Sequence, residues 1–140
     1  MRALILLVLA IAPAYPAEAG AAPPAMTGER LVKLMGNVDP ASVDWREDSP
    51  FRSRAIAAEY MDLANGEFVR GYIQAVYDAA EGKGWCWDGR YRPKLHELES
   101  DARHTLQRMP TVQLKRNAAD LIVEVWKKMW PCPVRRGSAP

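Results

Sequence analysis

Cys86, Cys132, His96 and His104 are the only cysteines and histidines in a chain of 140 residues, and they carry most of its reactive potential. The two thiols stand far apart rather than in a Cys-x-x-Cys pair, which argues against a redox-active centre. The two imidazoles lie two helical turns apart along one helix side, too far to grip one ion without a third ligand from elsewhere. Zinc sites use closer pairs such as His-x-x-x-His. No serine sits in a Gly-x-Ser-x-Gly turn, and no glycine-rich loop is built to cradle phosphate. The carboxylates fall on helix faces, where solvation and ion pairing account for them more simply than an acid–base dyad. The expectation is a protein without catalytic residues, cofactor or metal, working by binding.

The amino terminus says where that binding takes place. A positive Met1-Arg2 end, an apolar run over residues 3–12, a break at Pro13 and the small-x-small triplet Ala17-Glu18-Ala19 have the form of a signal peptide. Residues 1–19 are therefore expected to be removed, leaving 20–140 as a single mature domain. The apolar run falls short of the roughly 20 residues that span a bilayer, so the mature form is not expected in the membrane. No cysteine follows it to take a lipid. In an oxidising compartment the two cysteines are expected to pair. Closing a loop of that length stabilises the fold by roughly 4 kcal/mol on the chain-entropy model. The net charge of +2 is unchanged by losing the leader, and is too near neutral to point to nucleic acid.

The elements that would position these residues are helical throughout. Thr27 caps a short helix over 28–35, with Leu31, Leu34 and Met35 on one face and Gly36-Asn37 as its stop. Residues 38–49 read as an acidic loop whose Trp45 is expected to fold back on the core. Ser49-Pro50 reads as the next helix start, with Ile56, Tyr60 and Leu63 as its apolar stripe. Asn65-Gly66 either ends that helix or only weakens a longer one. Beyond it Val69, Tyr72, Ile73, Val76 and Ala80 share a face, and Gly71, Ala75 and Ala79 form a row of small residues suited to close helix approach. Gly82 and Gly84 end the run.

Trp85 to Pro93 is aromatic and basic. Trp87, Arg90, Tyr91 and Arg92 around the Asp88-Gly89 turn are types common at interface hot spots. Trp87 either covers the disulfide with the arginines in solvent, or this segment, Asp88 included, is a contact surface. A further helix follows through Leu95, Leu98, Ala102, Leu106 and Met109, with Glu99 and Arg103 as an i,i+4 pair. Thr111 caps a last one through Leu114, Ala118, Leu121, Ile122, Val125 and Met129, with Glu124 and Lys128 paired on its wet face. No period-two alternation persists. The expected fold is all-α, a small bundle of about five helices stapled by one disulfide.

The order Gly71-Tyr72 to Asp78-Ala79, then Cys86, then a helix ending at Met109-Pro110, then residues 118–126 and a closing Trp130-Pro131-Cys132, resembles the Rap/Tai family of immunity proteins. Thr27-Gly28 and the helix after it resemble the family's opening Gly-x-x-Leu helix. Ala75 replaces the family's second glycine, and Met35 and Val69 stand where many members have a second cysteine pair. The resemblance implies an exported helical protein whose fold residues are Gly71, Tyr72, Asp78, Cys86, Pro131 and Cys132. Asp78 is either a partner-facing charge or a carboxylate that holds the following turn. The implied role is to bind and occlude the active site of a peptidoglycan amidase injected into the periplasm by a type VI secretion system, with a homodimer as the implied assembly. An envelope interaction protein without a toxin partner, and an enzyme or metal carrier built on His96 and His104, are the readings to weigh against it.

Overall fold

The computed structural model describes residues 23–87 and 91–133. The expected leader over residues 1–19, the positions Asp88 and Arg90, and the tail from 134 onward lie outside them. The described residues form five α-helices: α1 (Gly28–Leu34), α2 (Arg54–Ala80), α3 (Leu95–Gln107), α4 (Thr111–Leu114) and α5 (Ala118–Met129). A single 3₁₀ turn, Pro40–Ser42, interrupts the loop after α1. Among the described residues there is no strand, and no helix is long and apolar enough to cross a membrane.

Local chemistry sets the helix ends. The Thr27 hydroxyl accepts from the Arg30 N–H at 3.2 Å and opens α1 as expected. α2 starts four residues later than Ser49-Pro50 suggests. Ser53 is its cap, accepting from the Ile56 N–H, while Ser49 closes a turn with the Phe51 N–H. α2 then runs through Asn65-Gly66 without a break. One mid-helix glycine costs about 1 kcal/mol, and buried contacts on both sides, from Ala58 to Val69, outweigh it. The expected last helix is two, because Asn117 turns the chain at residues 115–117 and its side chain accepts from the Ala119 N–H at 2.8 Å to start α5.

α3 and α5 pack against each other and against α2, and α1 seals one side. Leu31, Val69, Ile73, Leu98, Ala102, Leu106, Leu121 and Ile122 are fully buried in one core. Val69 belongs to this cluster and Met35, partly buried, packs against it, so the two positions expected to replace a second cysteine pair are both apolar groups at the core. The start of α1 meets the start of α5 in a short antiparallel bridge. There the Gly28 N–H donates to Arg116 O, and the Ala118 N–H to Met26 O, each at 3.0 Å. The Arg103 guanidinium donates to Met35 O at 3.2 Å and pairs with Glu99 at 3.3 Å, tying the end of α1 to α3. The Asp62 carboxylate accepts from the Val38 N–H at 2.7 Å and holds the following loop to α2.

Four further expectations need correction. Ile56, Tyr60 and Leu63 lie outside the core, 44–63 % exposed; in the first half of α2 the buried positions are Ala57 and Ala58. Gly71 is not a close-approach residue, since nothing lies within 4 Å of where its Cβ would be. Glu124 pairs with Arg116 at the α5 start rather than with Lys128. Trp45 folds back on its own loop, not the core, its indole N–H donating to Phe51 O at 2.7 Å.

Candidate functional site

The two cysteines are joined, with Cα atoms 4.6 Å apart, and the surface around the bond is concave. Its position follows from the turn that ends α2. Gly82 takes a left-handed conformation (φ 76°) that glycine adopts without strain. Its N–H donates to Trp85 O at 2.8 Å, while the Gly84 N–H donates to Ala80 O at the same distance. Gly84 lies tight against α5, where a Cβ would sit 2.6 Å from a Val123 methyl. This turn drives Trp85 inward, fully buried, with its ring 5.3 Å from Tyr77, 5.6 Å from Trp126 and 6.2 Å from Trp130. Trp126 is fixed in turn by donating its indole N–H to Leu98 O at 3.1 Å.

On this aromatic floor the chain emerges at Cys86. Its N–H donates to Trp130 O at 2.9 Å, which sets the chain after α2 beside the chain after α5. The resulting cavity is about 810 Å³, lined on one side by Cys86, Trp87 and Tyr91 and on the other by Met129, Trp130, Pro131 and Pro133. Trp87, Tyr91 and Met129 are 38 %, 55 % and 43 % exposed. The large apolar area left open to water is a feature of interaction surfaces rather than of packed interiors.

The expected contact residues divide. Trp87 and Tyr91 come together in the cavity wall. Arg92 turns away from it: its Nε donates to the Tyr77 hydroxyl at 2.9 Å and its terminal nitrogen to Glu81 at 2.8 Å. Its guanidinium lies 5.8 Å from the ring centres of both Tyr77 and Trp87. The partners Tyr77 and Glu81 hold the Arg92 pKa above its ordinary value. Arg92 is thus a brace behind Trp87. The Tyr91 hydroxyl donates to Glu97, whose carboxylate also accepts from the Lys94 N–H at the start of α3. These two bonds hold the Glu97 pKa below the usual carboxylate range, and the same contact with Glu97 raises that of Tyr91.

Of the positions expected from the family pattern, Cys86, Pro131 and Cys132 lie at this site, while Gly71, Tyr72 and Asp78 do not line it. Asp78 is exposed near the end of α2. Tyr72 is half-buried against α5; burial raises its pKa, with the Asp120 charge adding to this and the Ala119 backbone opposing it. Sequence reasoning missed the second wall, Met129 and Trp130 with Pro133. Its one signal was Cys132, which the disulfide carries to Cys86 with its neighbours. His96 and His104 are both exposed on α3, and among the described residues no group of three or more His, Cys, Asp or Glu side chains is arranged to hold a metal.

Residues 28–132 match the family model for Rap1a immunity proteins. That span begins at the close-packed Gly28 and ends at the second cysteine of the disulfide. No curated protein matches the chain.

Proposed function

The chain belongs to the family of Rap1a immunity proteins, and from that premise we propose that it acts in the periplasm by binding a type VI secretion peptidoglycan amidase and occluding its active-site groove. The observation that carries this reading is the aromatic cavity over Cys86–Cys132, where Trp87 and Tyr91 stand exposed on backbone anchored by the bond and by Arg92. A rigid aromatic platform loses little conformational freedom on binding, so its buried area converts efficiently to affinity. Inhibition by coverage needs no reactive group on the inhibitor. Export through the leader over residues 1–19 places the protein where the amidase acts.

The homodimer belongs to the same proposal. Its surface would be the outer side of α2, where Ile56, Tyr60, Met61, Leu63 and Phe68 are 43–63 % exposed.

The test is survival. A candidate amidase, the product of a neighbouring gene, is directed to the periplasm of a test cell with and without this protein. Lysis prevented only by the exported form supports immunity. Lysis that continues despite export removes that amidase as the partner, and failure across candidate amidases favours an envelope interaction protein built on the same fold.

A further inference from the structure

No charged side chain lines the aromatic cavity, yet the cavity stands at the basic end of the molecule. Over residues 83–97 and 127–136, the segments that include both walls, eight positions are Lys or Arg and two are Asp or Glu. At the far end of α2 the balance is the opposite. Residues 38–62, the loop after α1 with the first turns of α2, hold six acidic and three basic positions. That loop is fixed to the first half of α2 by Asp62 and by Phe51 against Tyr60, with ring centres 5.1 Å apart. Most of a helix about 40 Å long therefore separates the two poles.

The positive charge near the cavity is not consumed internally. Among the described residues the ion pairs engage arginines and no lysine. Lys94 caps α3 three residues after Tyr91, and Lys127 and Lys128 end α5 directly before Met129; all three are exposed. Arg92 is paired with Glu81 and adds little to this field. Surface charges act over about 8 Å at physiological ionic strength, so they need not face into the cavity to be felt at its mouth.

We propose that the cavity receives an acidic segment of a protein, with an apolar side chain seated among Trp87, Tyr91 and Trp130 and carboxylates flanking it near the lysines. A carboxylate inside the cavity would be desolvated without a partner, which is costly, so the charge stays at the rim. A flat anionic lipid surface would meet the lysines and leave the cavity unfilled. The identity of the protein that carries the segment rests on the amidase reading above; the chemistry of the segment does not. Under that reading the rim steers the encounter and the aromatic cavity holds the complex.

The test titrates three polypeptide probes into the protein by calorimetry: a random copolymer of glutamate and tyrosine, one of lysine and tyrosine, and polyglutamate. The glutamate–tyrosine copolymer is expected to bind at least about tenfold more tightly than either of the others. Its affinity should fall at least about tenfold as salt rises from about 0.01 M to about 0.15 M, where the Debye length shrinks from about 30 Å to about 8 Å. Trp87→Ala should remove its advantage over polyglutamate, and Lys127→Glu/Lys128→Glu its advantage over the lysine copolymer. Lys127→Gln/Lys128→Gln repeats that loss in part and covers the case in which charge reversal disturbs the end of α5. Equal affinity for the lysine copolymer, equal affinity for polyglutamate, or no binding of any probe would overturn the proposal. So would flotation with phosphatidylglycerol vesicles that Trp87→Ala abolishes, since the cavity would then serve lipid. A failed survival assay beside the expected titrations would dismiss the amidase and keep the acidic ligand. Rescue beside failed titrations would keep immunity and remove this surface chemistry.

Discussion

Gly28 meets Leu121 so closely that a Cβ built on the glycine would stand 2.6 Å from a Leu121 methyl, and 3.0 Å from one on Leu114. Leu121 is fully buried, and the backbone oxygen of Leu114 would stand 3.1 Å from the same Cβ. Gly84 is held the same way against Val123, whose branched side chain is stiffer still. Gly28→Ala and Gly84→Ala are each expected to destabilise the fold by about 1–3 kcal/mol, the usual cost of overfilling a packed site. Gly71→Ala is expected to stabilise it by up to about 1 kcal/mol, because the helix gains propensity and nothing is displaced. Urea midpoints at unchanged slope measure all three. A neutral Gly28→Ala would show that this contact relaxes.

These glycines mark what sequence reasoning could and could not reach. The Thr27 cap of α1 was legible because it is local, as were the buried α5 positions Ala118, Leu121, Ile122 and Val125, although Met129, expected among them, is exposed. Helical spacing identifies an apolar face but not which side the rest of the chain will cover. Ile56, Tyr60 and Leu63 repeat as regularly as Val69, Ile73 and Val76, yet only the second set is buried. The Asn117 break escaped notice because Leu114, Ala118 and Leu121 keep helical register across it. At the site, Trp87 and Tyr91 were legible from residue type and proximity to Cys86. The wall from Met129 to Pro133 was not, because only the disulfide brings it there.

Reducing the disulfide should lower global stability by about 4 kcal/mol, as expected for a chain cross-link across a separation of 46 residues. Denaturant unfolding of oxidised and reduced protein measures this at constant pH. A loss well under 1 kcal/mol would mean that the unlinked chain keeps these ends together on its own.

Glu97 and Glu124 have pKa values held below the usual 4.5, Glu97 first by the Tyr91 hydroxyl and Glu124 first by Arg116. A carboxylate with a depressed native pKa stabilises the fold at pH values above 4.5, and that contribution disappears as pH falls through the lowered native value. Stability should therefore decline below about pH 4.5. Glu97→Gln should flatten part of that decline with little effect at neutral pH, because the pair is solvent-exposed. Thermal melts from pH 3 to 7 read this out, and an unchanged acid limb in the variant would contradict the assignment.

Trp87→Ala in the cavity wall, and Arg90→Ala in the sequence segment that follows it, are each expected to weaken partner binding by more than about 1 kcal/mol. Arg92→Ala should act more weakly and through Trp87, since its contacts are with Tyr77 and Glu81 rather than the cavity. Calorimetric titration against the amidase found by the survival assay measures each variant. Intact affinity in both Trp87→Ala and Arg90→Ala would remove this surface from the binding site.

The outer side of α2 gives the last prediction. A helix of 27 residues, about 40 Å long, leaves Ile56, Tyr60, Leu63 and Phe68 substantially exposed. A stable pairing needs on the order of 800 Å² per partner, and a helix of that length can supply much of it when met by a copy of itself. Leu63 lies near the centre and is 63 % exposed, so Leu63→Glu should leave the monomer fold intact. In a two-fold pairing it would bring two carboxylates together on a desolvated surface, which opposes association strongly. Sedimentation velocity at micromolar concentration should show a dimer for the native protein and a monomer for the variant, with unchanged helical circular dichroism. A native protein that sediments as a monomer, or a variant that remains dimeric, would take α2 out of the assembly.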